Sequence, residues 1–540
     1  MWGIDVKLTK LQFTGLILGI SGFLLPLVVV FSGLSFAGHI ALGIFLLAAM
    51  FWMFEPIPIY STSILIILLE VTLLSVQGPV FMNAELPTET LNRASNHFVI
   101  PAEAVSGQQL LYSIDSEGEL VGNKVDVTPI SKDQVQVEGA NLTEGMTIVA
   151  DAEHRLVQYK PNSYADYLGT LASPIIILFL GGFVLAEASV KYDLDRNLTR
   201  LLLGPFGSTP KFIVLGLMLV TAVLSAFMSN TATTAMMMTV ILPIIARIDQ
   251  GDALKVGIAL SIPFAANIGG IATPIGTPPN AVVIGALSQQ GMIIEFGQWM
   301  LYAVPVVLVM LLVAWVTIMG LYPAKTERLQ LDLSGSFNTT LHAKILYGVF
   351  AFTVLAWITE SIHGINSSII ALVPVAALTF FGVIDKDEIR NLPWEVLWLV
   401  AGGLALGIAL DRTGLAQWLI SSIEWGALSR IWLLLVFAVV AVAMSNFLSN
   451  TVTATLLIPL AISMASSGIA GSGFNLLITS LVIGISASLA MVLPISTPPN
   501  AIAISTGMIQ TKDMAKAGVL IGVVGLVMVM IYSIFFWPFI

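Results

Sequence analysis

Long apolar runs broken by a few short polar phrases organise this 540-residue chain. Runs near 11 to 33, 36 to 54 and 58 to 80 each reach the roughly 20 residues that a helix needs to cross a bilayer, so three membrane helices are expected there. From Phe81 the texture changes to polar sequence with short alternating stretches at His97 to Val105, Leu120 to Val127, Gln134 to Glu138 and Met146 to Val149. Their period of two predicts strands, with Gly139 and Gly145 marking turns. Apolar sequence resumes at Leu171 in a helix that contains Gly181-Gly182 and ends in a stretch holding Lys191, Arg196 and Arg200. Lys211 to Arg247 then holds two apolar arms meeting at Ser229-Asn230-Thr231, too short for two crossings and a turn, which predicts a re-entrant hairpin. Residues 256 to 292 stay apolar except around Gly269-Gly270 and Pro278-Pro279. Proline removes a backbone donor and breaks a helix, so this span is expected to cross while unwound in its middle. A helix near 299 to 322 follows.

The plan then repeats. Beyond a polar stretch at 323 to 344 come helices near 345 to 361, 367 to 384 and 394 to 410, a hairpin from Arg430 to about Ser466 with its tip at Ser449, a broken helix from about 476 to 510, and a last helix from Gly518. The phrase Ser229-Asn230-Thr231 returns 220 residues later as Ser449-Asn450-Thr451, and Thr277-Pro278-Pro279-Asn280-Ala281 returns at the same offset as Thr497-Pro498-Pro499-Asn500-Ala501. Two phrases holding one spacing indicate an internal duplication. The expected fold is an all-α polytopic membrane protein of two inverted repeats, with about 11 transmembrane helices, two re-entrant hairpins and a small all-β extracytoplasmic insert. Its segments are 1–80, the insert 81–166, the rest of the first repeat 167–322, a cytoplasmic linker 323–344 and the second repeat 345–540.

Composition sharpens this picture. With 57% hydrophobic and 10% charged residues and a mean hydropathy of +0.94, the chain is far more apolar than a soluble globular protein. Of the formal charge of −10, the segment Phe81 to Ala165 carries −7, from twelve acids and five bases, so the acidity belongs to the insert. The absence of cysteine excludes thiolate chemistry, and the five histidines are scattered without a metal-binding spacing. Lys7 and Lys10 precede an apolar run without a small-residue cleavage site, as in a first membrane helix. If the N-terminus is cytoplasmic, fifteen of the 22 Lys and Arg fall on cytoplasmic segments, only Arg412 and Arg430 on the opposite side, and five in the insert. That bias satisfies the positive-inside rule and places the insert outside the cytoplasm. Five crossings per repeat would make the repeats inverted, a plan used by many secondary transporters.

Hairpin tips and helix breaks leave unpaired N–H groups at the starts of the arms that follow. Four such N-termini on a common axis, each worth roughly +0.5 of a charge, suit a dianion, while hydroxyl, amide and carbonyl oxygens at the same breaks suit a hard cation such as sodium. Other polar positions carry less. Glu70 and Glu187 occur in single copies and are read as paired or interfacial, the two Gly-Gly pairs as close-packing points, Met236-Met237-Met238 as packed or lipid-facing surface, and His39 as interfacial. An intramembrane hydrolase would need a His, Lys or Asp partner for its Ser, and neither copy of the motifs supplies one. An ion channel is an alternative from another class, against which the pair of hairpins predicts saturable transport.

The repeated Ser-Asn-Thr motifs, each followed by a Pro-Pro-Asn break, resemble the divalent anion:sodium symporter (DASS) family over 1 to 80 and 167 to 540. The resemblance implies a homodimer in a cell inner membrane, with a scaffold and a mobile transport domain that carries succinate, malate, fumarate, citrate or sulfate across by an elevator movement, usually with sodium. It implies one sodium site from Ser225, Ser229, Asn230 and the backbone at Gly276, and a second from Ser445, Asn450 and the backbone near Leu448 and Ser496. Substrate would touch Ser229, Asn230, Thr231, Ser449, Asn450 and Thr451, with Thr277, Thr497 and Pro498 completing the pocket. The family often has Thr at the place of Ser445 and Ala at that of Ser496; hydroxyl and backbone oxygen survive both changes. The reading is therefore a sodium-coupled dicarboxylate importer with no catalytic residues and no nucleic-acid partner, the alternatives being a sodium-independent dicarboxylate or citrate exchanger and a sodium/sulfate symporter. The insert departs from the family. Its Val99-Ile100-Pro101-Ala102-Glu103-Ala104-Val105 and Leu142 to Val149 resemble the membrane-proximal β domain of periplasmic efflux adaptor proteins, which would make it either a solvated periplasmic cap or a dock for a periplasmic protein.

Overall fold

The computed structural model describes residues 8–31, 34–75, 162–329, 337–421, 429–466 and 474–540, together with 88–91, 93–94, 97–101, 110–114, 120–131, 134–139, 142–144 and 146–149 of the insert. Residues 32–33 and 76–80 of the expected first and third helices, 102–105 of an expected strand, Gly145, and 330–336 of the expected linker lie outside the described residues. The chain forms two compact units, Met1–Gly169 with Ala405–Glu424 and Thr170–Leu404 with Trp425–Ile540. Among the described residues nine helices are long and apolar enough to cross a membrane.

The first unit holds helices Lys10–Val28, Phe36–Phe54 and Ile59–Leu73. The third ends at Leu73, and Ser75 just beyond it forms a parallel bridge with Asn162. His39, expected at the interface, is instead buried at 7% exposure, where Nε2 accepts from Phe31 N–H at 2.9 Å and Nδ1 lies 2.8 Å from the Ser35 carbonyl. Glu70 is fully buried, and neither carboxylate oxygen has a hydrogen-bond partner among the described residues; the expected pairing is not made.

The insert folds into strands β1 (Thr88–Thr90), β2 (Arg93–Ala94), β3 (His97–Pro101), β4 (Leu110–Ile114), β5 (Leu120–Lys124), β6 (Asp126–Pro129), β7 (Gln134–Glu138) and β8 (Thr147–Val149). They make two four-stranded antiparallel sheets, ordered β1-β8-β4-β5 and β2-β3-β7-β6. Alternation sets the inner face: Val135 and Val137 point in while Gln134 and Glu138 point out. In register with them Ile100 and Phe98 face the same way, and with Leu91, Val125 and Ile148 they form a core of the insert's own.

The second unit holds both repeats of the polar phrases. Its first hairpin is Pro210–Phe227 and Asn230–Ala246, followed by a broken helix with arms Leu254–Gly270 and Pro278–Gln289. Its second hairpin is Arg430–Phe447 and Asn450–Ser466, followed by arms Leu476–Ser488 and Pro498–Ser505. Each hairpin grips the first arm of its own broken helix, but the second arms are exchanged. Pro278–Gln289 packs on the second hairpin and on Leu476–Ser488, and Pro498–Ser505 packs on the first hairpin and on Leu254–Gly270. The glycine pairs sit at close approaches, as expected: a side chain on Gly181 would meet the Ala371 carbonyl oxygen at 2.3 Å, and one on Gly403 would meet Thr455 at 2.5 Å. Met237 and Met238 are packed inside.

Element ends differ from hydropathy in two instructive places. The helix expected over 367 to 384 is split into Ser367–Ile370 and Leu372–Phe380, because Pro374 has no N–H to give the Ile370 carbonyl. It stops at a left-handed Gly382, φ 66°, with Val383 N–H returning to the Leu378 carbonyl at 2.9 Å. The last helix begins at Thr511 rather than Gly518, since Gln510 and Asp513 cap each other in a polar first turn that an apolar search passes over.

Candidate functional site

Both Ser-Asn-Thr phrases are hairpin tips. Met228 and Leu448 leave the helix in extended conformation, and Ser229 and Ser449 stand immediately before the arms that begin at Asn230 and Asn450. Ser229, Asn230, Ser449 and Asn450 are half-buried; Thr231 is exposed whereas Thr451 is buried. Both Thr-Pro-Pro phrases start the second arm of a broken helix, with Thr277 and Thr497 as extended N-cap residues and Pro278 and Pro498 in the first turn, where a missing N–H costs nothing. Thr277 and Thr497 are buried and Pro498 is exposed. With the second arms exchanged between repeats, the four helix starts belong to one packed body. The four segments 212–246, 256–294, 431–466 and 474–511 contain no Asp, Glu, Lys, Arg or His. The fixed positive potential available there is that of the helix N-termini and oriented amides.

Around each tip three oxygens converge. Ser225 donates to Asn230 Oδ1 and lies 2.8 Å from the Ala266 carbonyl. In the second repeat Ser445 Oγ lies 2.7 Å from Asn450 Oδ1 and 2.8 Å from the Ala487 carbonyl. A serine hydroxyl carries one proton, so it satisfies one of these acceptors and meets the other through a lone pair. Oxygens crowded with too few protons are the donor set of a hard cation. Ser225 and Ser445 are fully buried, and each stands five residues before its Asn, one helical turn below the tip.

The breaks hold the rest together. A side chain on Gly270 would meet Asn230 Oδ1 at 2.6 Å, and one on Gly276 would meet the Gly270 carbonyl at 2.4 Å; both positions need glycine for the unwound segment to fold back over Asn230. Asn280 ties that segment by donating Nδ2 to the carbonyls of Gly270 (3.0 Å), Ile271 (3.3 Å) and Thr273 (2.7 Å), and Trp299 Nε1 donates to the Ile271 carbonyl at 3.0 Å. Thr273 donates to the Ala226 carbonyl. In the second repeat Ser496 Oγ donates to the Asn446 carbonyl at 3.1 Å and Asn446 Oδ1 accepts from Val492 N–H at 3.0 Å. Leu448 keeps a helical bond to the Met444 carbonyl at 2.7 Å.

Of the sequence-predicted residues, Ser225 meets Asn230 at the first tip and Gly276 lies against Gly270, Ser445 meets Asn450 at the second tip and Ser496 binds Asn446, and Thr497 reaches across to Asn267. Ser229, Thr231, Leu448, Ser449 and Thr451 stand at the tips, and Thr277 and Pro498 at the starts of the second arms. The sequence reading did not single out Asn267, Thr273, Asn446 or Trp299. Of these Asn267 and Asn446 carried a signal: both are amides inside apolar runs, and neither is repeated at its counterpart position, Ser488 or Ala226.

The chain matches known proteins along this same stretch. The model of a family described as citrate transporter (CitMHS) matches residues 145–484, which contain both hairpin tips and the first break. The chain is 31% identical over 401 residues to the sodium-dependent dicarboxylate transporter SdcS of Staphylococcus saprophyticus, covering 67% of this chain and 76% of that one. It is 30% identical over 416 residues to the sodium-dependent high-affinity dicarboxylate transporter 3 of Caenorhabditis elegans, covering 66% and 73%. It is 32% identical over 388 residues to an uncharacterized transporter of Haemophilus influenzae, covering 68% and 82%.

Proposed function

Since the chain belongs to the citrate transporter family, we propose that it imports a C4-dicarboxylate dianion such as succinate, malate or fumarate together with sodium. The observation that carries this reading is the duplicated oxygen triad of Ser225, Asn230 and Ala266, and of Ser445, Asn450 and Ala487, each directly beneath a helix start. A cation in each triad lies beside the tip where an anion meets free N–H groups, so either charge stabilises the other in a site with no ionised side chain of its own. Substrate then rests between Ser229, Asn230, Thr231 and Ser449, Asn450, Thr451, with Thr277, Thr497 and Pro498 around it. Sodium uses Ser225, Ser229, Asn230 and the Gly276 backbone at one tip, and Ser445, Asn450 and the Leu448 and Ser496 backbone at the other. The names of the relatives agree with this pairing of ions.

Transport moves the hairpins and broken helices as one body by an elevator displacement in a homodimer. The chain sits in a cell inner membrane with its N-terminus in the cytoplasm and residues 81–166 in the periplasm. The insert, which has its own core, is a solvated cap. Uptake of radiolabelled succinate into proteoliposomes tests the whole reading. An inward sodium gradient is expected to drive accumulation, and deletion of residues 85–160 to leave it intact. Uptake indifferent to sodium but dependent on internal succinate would establish exchange instead, and lost uptake or assembly on deletion would give the insert a partner.

A further inference from the structure

The two breaks differ in how their threonine hydroxyls are held, and the difference begins with a backbone carbonyl. The Leu493 carbonyl can only accept, so Asn500 presents Nδ2 to it, at 3.1 Å. That turns Asn500 Oδ1 toward Asn267, which answers with its own Nδ2 at 3.1 Å. The same Nδ2 reaches Thr497 Oγ1, also at 3.1 Å, and Asn500 N–H reaches that oxygen at 3.4 Å. Thr497 Oγ1 therefore accepts twice, which occupies both lone pairs. Its proton is left to donate elsewhere. Asn267, Thr497 and Asn500 are 2%, 6% and 0% exposed, so water does not compete for the two amides.

No such relay serves Thr277. Ala266 and Ala487 are equivalent by their bonds from Ser225 and Ser445, which makes Ser488 the counterpart of Asn267. Ser488 gives its hydroxyl to the Gly484 carbonyl of its own helix at 3.2 Å. Asn280 is clamped by three carbonyls through Nδ2, and its buried Oδ1 has no hydrogen-bond partner among the described residues. Thr277 makes no side-chain cap bond.

We infer that Asn267 is a positioning residue that converts Thr497 into an obligate hydrogen-bond donor toward the substrate, so that one end of the anion is recognised as a deprotonated carboxylate while the Thr277 end is not. This rests on the transport reading above. The polarity runs in one direction, from the Leu493 carbonyl through Asn500 and Asn267 to Thr497, and a protonated carboxyl offered to Thr497 accepts more weakly than a carboxylate.

The test compares five variants in sodium-driven succinate uptake. A lost hydrogen bond to a charged group corresponds to about a tenfold rise in KM, which is the result expected for Asn267→Ser, the residue that the second repeat carries, and for Thr497→Val. For both, kcat and the sodium concentration for half-maximal rate should change less than about twofold. The double variant should be no worse than either single one, because Asn267→Ser releases and Thr497→Val removes the same Thr497 donation; Thr497→Ser should keep the wild-type KM, and Thr277→Val should raise it less than Thr497→Val does. Multiplicative penalties in the double variant, or an unchanged KM in Asn267→Ser, overturn the inference. If Asn267→Ser does not fold, the Thr277→Val and Thr497→Val pair decides alone, and equal penalties overturn it. Wild-type protein that takes up no dicarboxylate overturns the transport reading and this inference with it, whereas wild-type uptake with multiplicative penalties overturns this inference alone.

Discussion

The first and second breaks share their motifs and part ways just outside them. Each has a Ser-Asn pair spaced five residues apart, a backbone carbonyl from the neighbouring arm and a Thr-Pro-Pro-Asn start. Yet Ala226 stands opposite Asn446, Asn267 opposite Ser488, and Gly276 opposite Ser496. The identical parts build the same oxygen triad twice. The differing parts decide which atoms of the break are tied down: carbonyls in the first repeat, held by Asn280 and Trp299, and a hydroxyl in the second, held by Asn267. Duplication thus preserves the oxygen triad while the surroundings make the two breaks unlike.

The comparison breaks most completely if the tips are not equivalent. Asn230→Ala and Asn450→Ala each remove one triad oxygen and one tip amide, and each is expected to lower succinate uptake at least about a hundredfold while the protein still inserts, as membrane extraction and gel filtration would show. Normal uptake in either would remove that tip from the site.

The next largest effect separates Gly276 from Ser496. Gly276→Ala places a methyl 2.4 Å from the Gly270 carbonyl, so the unwound segment must shift. We expect at least a tenfold loss of sodium-driven uptake, of the order that such misplacement produces. Ser496→Ala only removes a hydroxyl from the Asn446 carbonyl, and should raise the half-saturating sodium concentration by about threefold or less. Equal losses would show that the two breaks respond alike to their unlike packing.

The smallest effect concerns an anchor in the first repeat. Burial pushes the Asp252 carboxyl up, but bonds from Leu254 N–H, the Thr326 hydroxyl and N–H, and Lys325 N–H outweigh it and hold it below the ordinary aspartate value. A lowered carboxylate stabilises the fold above its unfolded pKa, and that contribution disappears as pH falls through the folded one. The Tm difference in detergent between wild type and Asp252→Ala should therefore stay constant from pH 7 to 5 and shrink as pH falls below the ordinary aspartate value. Asp252→Ala should lower the neutral-pH Tm by about 3 °C and remove this group's share of the acid slope.

Much of this was legible in the sequence because the physics is local. Hairpin tips, breaks and membrane helices follow from apolar length and from proline, and the duplication exposed the motif residues. Strands β3, β5, β7 and β8 of the insert followed from alternation, whereas β1, β2, β4 and the division into two sheets did not. What was not legible depends on who faces whom. His39 read as interfacial because a lone histidine near an apolar run usually is, and only the fold shows it stapling residues 31 and 35. Asn267 looked like one polar residue among many; its meaning comes from Thr497 and Asn500, which lie over two hundred residues away and reach it through the exchanged arm.

The exchange of second arms also bears on how the protein is made. Neither half can complete its own core, since Pro278–Gln289 finds its main partners in the second repeat and Pro498–Ser505 finds its in the first. During synthesis the first hairpin and break must wait in the bilayer, unwound and incompletely covered, until some two hundred further residues have followed. A half-length chain carrying one hairpin and one broken helix would meet the same need by trading second arms with another copy of itself.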